Sequence, residues 1–585
     1  MSPKQILSIL SMIGMATTSS LHLQPRLDSK LDWGECNDPV INATLPADCA
    51  NFTVPLDYLS EGGEEIQLQL ARIRAPVQPA KGTILLNFGG PGEEARATLT
   101  GPKAIQYLAL SGGRYDLAAF DPRGVANTIP QKCFLTKQDK IEFLEAQTWH
   151  DQNETSLEKM WDRAKIDVEK CYEAHNKTQP FLGTASVARD LMSVVDALGE
   201  DGMLRYWGFS YGTTLGATVA AMFPDKIDKM VIDGVQNPHE YYHALADYEE
   251  WTDSDRVFSE IFRSCVRAGP QQCPMAAGNY TAEEMEMIAW RVANALKTNP
   301  IQLGNGTEFD YPVIRGLFGL SLYGPDRWPL LMKILPYLAT NETDHPVFVK
   351  AASALVNQFT ASVEIIPAVY GIHCSDRIPR LETLDEFRPV QARLSEISKV
   401  MDGSAALSMA CGLWKSDAKE RYMGDFQVKT KNPILLSSNR YDGHTPLKSA
   451  YNVSSSFEGS SVLVVNGFGH STMSQASVCN LKQTSAYWLN GTLPEKGFQC
   501  EVNAVPYGNY TWQNAITEVY GDGFGSPGGS NAQPQPVPGG GNDNGNGSDN
   551  EANPKPTLPP VSRATSLISK INLAPALAVA LVCIL

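Results

Sequence analysis

Two kinds of hydrophobic pattern divide the chain. Between about residues 50 and 238, and again over about 430–500, continuous apolar runs recur: GTILLNF, YDLAAFD, LRYWGFS, KMVIDG, PILLSSN and SVLVVNG. Helical spacing separates them. Runs without polar alternation read as strands buried on both faces, and helices between them supply the crossovers that a parallel sheet needs. Residues 239–425 differ. Stretches such as TAEEMEMIAWRVANALKTN carry helical periodicity, and strand signals are few. The pattern predicts an α/β protein with a mostly parallel central sheet and helices on both faces. Its core spans 21–238 and 426–520, interrupted by a helical cap over 239–425 that is placed to cover a site. No internal repeat is visible.

The two ends break the pattern. MSPKQILSILSMIGMATTSS has one lysine, a short apolar run and then small polar residues, the order of a signal peptide over 1–20. From 521 to 562 large apolar residues nearly vanish, so the segment cannot offset its ordering entropy and is expected to be a disordered linker. Residues 563–585 end in INLAPALAVALVCIL. A polar spacer before a terminal apolar tail is a glycolipid-anchor signal, with Ser562 or the region of Ser548 as the expected attachment point; a tail anchor is the competing reading. An extracellular, cell-surface protein is therefore expected. Asn-x-Ser/Thr sequons at Asn42, Asn51, Asn153, Asn176, Asn279, Asn305, Asn341, Asn452, Asn490, Asn509 and Asn546 agree with secretion. Of the cysteines, Cys583 lies in the tail, and the remaining ten make an even set. Pairing sequence neighbours closes short loops and predicts Cys36–Cys49, Cys133–Cys171, Cys265–Cys273, Cys374–Cys411 and Cys479–Cys500. The net charge of −16, with no basic cluster, argues against a nucleic-acid partner.

One strand-like run ends in an unusual way. After LRYWGF comes Gly208-x-Ser210-x-Gly212, then the helical TTLGATVAAMF. A strand, a glycine-flanked serine and a helix make a nucleophile elbow, which lifts the serine Oγ above the sheet edge. Serine needs a base, and the base needs an orienting acid, in the chain order Ser, Asp, His. Asp442 follows one later strand run and His470 follows the next, so both reach the ends where strands converge. His444 is a rival base, but it stands only two residues from Asp442. LLNFGGPGEE turns after another strand. Its Gly90 N–H and the Tyr211 N–H are the expected oxyanion donors.

These segments, NFGGPG, YDLAAFDPRGVANTIP, WGFSYGTTLGATVAAMFPDKIDKMVIDGV and the Asp442 and His470 stretches, resemble the tripeptidyl aminopeptidase-like branch of the α/β-hydrolases, relatives of the prolyl aminopeptidases. The similarity runs from about Cys36 to Cys500. It implies an α/β-hydrolase fold with a helical cap, and a serine exopeptidase that releases short N-terminal peptides without a metal or organic cofactor. Asp121 and Arg123, in the family's FDPRG, are expected to brace a loop. The chain departs from its relatives at Phe88, where prolyl aminopeptidases carry histidine, and at Glu93–Glu94, where the branch continues with small residues. An exopeptidase must recognise a free α-amino group, and HALADYEEWTDSD at the start of the cap offers Glu249, Glu250, Asp253 and Asp255.

Three other readings remain open on sequence. An esterase or lipase would use the same triad on a small ester. HEYYH at His239–His243 fits the zincin pattern, with Glu240 as base, but lacks an evident third ligand. A non-catalytic surface protein would not need Ser210, Asp442 and His470 together.

Overall fold

The computed structural model describes residues 30–525 apart from 147, 152, 305, 306 and 363. The expected signal peptide, most of the linker, the anchor segment, Asn305, Asn546 and Cys583 lie outside the described residues. Ten strands form one sheet: β1 (Gly34–Glu35), β2 (Ala47–Pro55), β3 (Glu65–Ile73), β4 (Thr83–Asn87), β5 (Asp116–Phe120), β6 (Leu204–Phe209), β7 (Ile227–Asp233), β10 (Leu435–Tyr441), β11 (Ser461–Phe468) and β12 (Gln499–Glu501). The two other strands, β8 (Ile301–Gly304) and β9 (Thr307–Phe309), form a hairpin in the cap. The order across the sheet is β1-β2-β3-β5-β4-β6-β7-β10-β11-β12. From β5 to β12 every neighbouring pair is parallel, whereas β1, β2, β3 and β5 pair antiparallel.

All six apolar runs became strands. β4 and β6 are buried along their whole length, as strands covered on both faces must be. One apolar cluster covers one face, with Val187, Leu191, Leu215 and Ile232. Another covers the opposite face, with Leu108, Trp207, Leu463 and Trp488.

The cap, between β7 and β10, has its own core around Phe258, Phe262, Phe318, Trp328 and Leu331. A second insertion joins it. The helices Lys137–Glu145 and Glu154–His175 lie between β5 and β6 in the chain, within the stretch assigned from sequence to the core. Leu157, Met160 and Trp161 nevertheless bury in the cap cluster, with Trp161 against Phe387 at 6.3 Å between ring centroids. The cap also contains the β8–β9 hairpin, so it is not purely helical.

All five neighbour disulfides form as expected, with Cα–Cα separations of 4.3–5.4 Å. Cys133–Cys171 and Cys374–Cys411 lie together in one apolar cluster under the cap. Among the described residues no helix is long and apolar enough to cross a membrane.

Candidate active site

Ser210 stands between β6 and the helix Tyr211–Met222 at φ 55°, ψ −126°, a conformation few non-glycine residues adopt. The turn is tight enough to dictate its neighbours. A Cβ on Gly208 would fall 2.2 Å from the Gly212 carbonyl oxygen, and one on Gly212 would fall 2.6 Å from the Asn87 carbonyl oxygen. Ser210 N–H donates to the Asp233 carbonyl at the end of β7 (3.2 Å). The loop after β4 closes on the same turn: a Cβ on Gly89 would lie 2.8 Å from Ser210 Cβ and 3.1 Å from Tyr211 N. Gly89 N–H is taken by Asn87 Oδ1 (3.0 Å). Gly90 follows with φ 100°. Phe88 does not face this chemistry; it stacks on Phe209 at 5.8 Å and packs against Tyr107 at 5.2 Å.

Asp442 and His470 meet. His470 Nδ1 lies 3.2 Å from both carboxylate oxygens of the fully buried Asp442. The N–H groups of His444, Thr445 and Ser471 and the Thr445 hydroxyl also donate to that carboxylate, at 2.9–3.0 Å. Burial pushes Asp442 up, but His470 and these donors more than offset it and hold the carboxyl below its ordinary value. His470 is anchored by its own N–H to the Tyr323 carbonyl (2.9 Å), and its Cε1 lies 3.3 Å from where a Cβ on Gly234 would be. Gly234 directly follows Asp233, so the serine turn and the histidine converge on one strand end. His444 is buried between Tyr323, at 4.0 Å, and Trp251, at 5.7 Å between centroids, and burial pushes it down to about 3. It packs beside the site, where burial disfavours its charged form.

The acidic cap segment divides. Asp255 caps a turn, accepting from Ser398 Oγ (2.6 Å), Lys399 N (2.9 Å) and Val400 N (3.0 Å). Glu249 accepts from Asn237 Nδ2 (3.3 Å) and Asn452 Nδ2 (2.5 Å). Both carboxylates are therefore engaged by other groups of the protein. Asp253 is half-buried, and burial raises it above the ordinary value. Glu250 alone of the four lines a small cavity of about 20 Å³, together with Gly90, Gln236, Asp247, Trp251 and His373. Burial, with Asp247 beside it, raises Glu250 well above the carboxylate range.

Two residues of this neighbourhood were not among the sequence candidates. Asp247 is buried and bonded through Oδ2 to Arg377 (2.6 Å), while its Oδ1 has no partner among the described residues. Asp233 accepts from Thr472 N (2.8 Å) and Thr472 Oγ1 (2.6 Å), tying β7 to the histidine loop. Asp121 and Arg123 do brace. Arg96 donates to Asp121 (2.6 Å), and Arg123 pairs with Asp190 (2.7 Å) with both side chains fully buried. In HEYYH the two histidine rings lie 6.4 Å apart, His239 packs edge-on to Phe426, and Glu240 accepts from Glu249 N (2.6 Å). Among the described residues no three His, Cys, Asp or Glu side chains gather as metal ligands.

The geometry agrees with what the chain is similar to. A model of the alpha/beta hydrolase fold matches residues 82–265, and a model of TAP-like proteins matches residues 398–500. Serine protease Hip1 of Mycobacterium tuberculosis is 26% identical over 504 residues, covering 82% of this chain and 92% of that protein. Tripeptidyl aminopeptidase of Streptomyces lividans is 27% identical over 500 residues, covering 81% and 87%. Carboxylesterase B of Mycobacterium tuberculosis is 24% identical over 504 residues, covering 81% and 91%. The chain is a serine hydrolase of the alpha/beta hydrolase fold, with a TAP-like segment over residues 398–500.

Proposed function

We propose that the protein is a serine exopeptidase that cleaves near the free N-terminus of peptides through an acyl-enzyme. Ser210 Oγ attacks the scissile carbonyl. His470 takes the serine proton and passes it to the leaving amine, while Asp442 fixes the imidazole tautomer and balances its charge when protonated. The N–H groups of Gly90 and Tyr211 receive the oxyanion. Water then repeats the sequence to release the acyl fragment. The relatives named as a serine protease and a tripeptidyl aminopeptidase support a peptidase; the one named carboxylesterase supports an esterase as the second reading.

One observation carries the exopeptidase reading. The small cavity that Gly90 lines is also lined by Glu250 and by Asp247, whose Oδ1 has no partner among the described residues. A buried carboxylate oxygen with no donor is costly, and an α-ammonium supplies the missing donors and charge. The reading moves the sequence expectation from four acidic residues to Glu250 and Asp247. Acetylating a peptide's N-terminus is expected to lower kcat/KM by about a hundredfold, the scale of losing a buried ion pair. Glu250→Gln should weaken cleavage of free peptides more than hydrolysis of a small neutral ester. Equal cleavage of blocked and free peptides would overturn the reading in favour of an esterase or endopeptidase.

We further propose that the chain is secreted, N-glycosylated and held at the cell surface by a glycolipid. All nine sequon asparagines that the structure describes are exposed, and five disulfides suit an oxidising compartment.

A further inference from the structure

The residue after the nucleophile is held at both of its ends. Tyr211 opens the helix Tyr211–Met222, so its N–H is one of those that a first helical turn leaves free. The loop that carries Gly90 crowds this N–H: a Cβ on Gly89 would lie 3.1 Å from Tyr211 N. The side chain is buried, and its ring packs against Tyr241 at 5.7 Å between centroids. Its hydroxyl lies 2.6 Å from Thr184 Oγ1.

Thr184 carries the contact on to the cap. Its Oγ1 lies 2.5 Å from Asp376 Oδ2, and the Tyr241 hydroxyl donates to the same oxygen (3.1 Å). Thr184 N–H is shared by both carboxylate oxygens, at 2.9 Å to Oδ1 and 3.2 Å to Oδ2. Thr184 and Asp376 are fully buried. A carboxylate only accepts, so the Thr184 hydroxyl donates to Asp376, and its oxygen is left to accept from Tyr211. The chain Tyr211–Thr184–Asp376 therefore runs in one direction, set by the charge at its end.

The local sequence makes room for this chain. Thr184 begins the helix Thr184–Leu198, whose N-cap, Gly183, has no side-chain acceptor. A Cβ on Gly183 would lie 3.1 Å from Asp376 Oδ1 and 2.7 Å from Ala418 Cβ, so the glycine admits a cap residue that takes over the capping role. Capping accounts for the bonds to Thr184 N–H. It does not account for the two hydroxyls gathered on Oδ2, one of which leads to the residue beside Ser210.

We infer that Asp376 is a positioning residue for the oxyanion hole: through Thr184 it holds Tyr211, and with Tyr211 the N–H that receives the oxyanion. The inference rests on the reading of Ser210 as nucleophile and Tyr211 N–H as donor, and not on recognition of a free N-terminus. A donor aimed at a transition state must be fixed before that state forms, and a misplacement of about 1 Å costs on the order of a hundredfold in rate. The seating of the cap on the core thereby sets the geometry of the hole.

The test is steady-state kinetics at pH 8, above the value of about 7 to which burial raises Asp376. Asp376→Asn leaves one acceptor oxygen for three donors that now share two. Thr184→Val cuts the middle of the chain, and Tyr211→Phe removes its far end. Each should lower kcat about tenfold with KM unchanged, on a free peptide and on a small neutral ester alike, because both substrates pass through an oxyanion. Asp376→Asn and Tyr211→Phe together should lose no more than the larger single loss, because they cut one chain. Thr184→Ser keeps the hydroxyl and should recover most of what Thr184→Val loses. Losses that multiply in the double variant, a loss confined to KM or to the peptide, or a lower melting temperature at full kcat would each overturn the inference. If Ser210→Ala keeps its turnover, the nucleophile reading fails and the positioning role with it. If Ser210→Ala is inactive while Tyr211→Phe and Asp376→Asn turn over normally, the positioning role alone fails.

Discussion

Ser210 owes its position to residues far from it in the chain. Its N–H is held by the carbonyl of Asp233, and the carboxyl of that same aspartate holds Thr472 in the histidine loop. One residue thus ties the turn of the proposed nucleophile to the loop of the proposed base. Ser210→Ala removes the proposed nucleophile and none of these bonds, since the backbone N–H remains. Turnover should fall by about 10⁴-fold or more, with an unchanged melting curve, because a triad lacking its serine retains only binding and oxyanion stabilisation. A variant with near-normal turnover would show that another group attacks. The serine turn and the contact of Asp442 with His470 were legible in the sequence because each residue closes a strand run, so local pattern and geometry coincide. Asp247 was not: nothing in ADYEEW distinguishes it, and its Oδ1 is left without a partner among the described residues only once distant segments close over it.

At the scale of elements, the cap is built from two separate insertions, and a buried charge locks them together. Asp402 receives Arg315 Nη2 (2.7 Å) from the helix Tyr311–Ser321 and Trp149 Nε1 (3.0 Å) from the β5–β6 insertion. Arg315 and Asp402 are both 2% exposed. Asp402→Ala would leave the guanidinium buried without its counter-charge, with the Tyr311 hydroxyl and the Lys399 and Val400 carbonyls as its remaining hydrogen-bond partners, which should cost about 3–5 kcal/mol. Urea denaturation should show this as a lower midpoint, and Asp402→Asn should recover part of it by keeping acceptors in place. A loss under about 1 kcal/mol for the alanine variant would show that the network is not locking the insertions. The β5–β6 insertion was not legible as part of the cap. Its long helix has ordinary amphipathic spacing, and an apolar stripe says that a face is buried without saying against what. The parallel strands were legible for the opposite reason: being buried on both faces, they leave no choice of side. The antiparallel edge β1–β3 alternates apolar and polar residues, with Phe52, Val54, Leu68 and Leu70 turned inward, and gave a weaker signal than the continuous runs.

Across the whole molecule, buried carboxyls set the pH at which the fold is most stable. Burial pushes Glu93, Asp233, Glu240 and Asp376 up to about 7, and Asp167 up to about 6. Between pH 4 and 7 these groups keep protons in the folded state that the unfolded chain has released, so folding is favoured there and loses that advantage as pH rises through 7. Two buried histidines act the other way. Burial pushes His373 and His444 down to about 3, so the unfolded chain binds protons that the folded state refuses, and stability falls as pH drops below about 6.5. The carboxyls outnumber the histidines, and their titration near 7 falls where the histidines contribute little. The depressed Asp442 weakens the fold only when acid protonates it, below about pH 4. The net charge of −16 adds to the same trend, since each further ionisation increases self-repulsion. The melting temperature should therefore be higher at pH 6 than at pH 8, by roughly several degrees, with the excess shrinking in Asp376→Asn, which removes one of the titrating groups. A thermal-denaturation series that instead rises steadily from pH 6 to pH 8 would show that these carboxyls are ionised in the folded protein, and that the donors around them outweigh their burial.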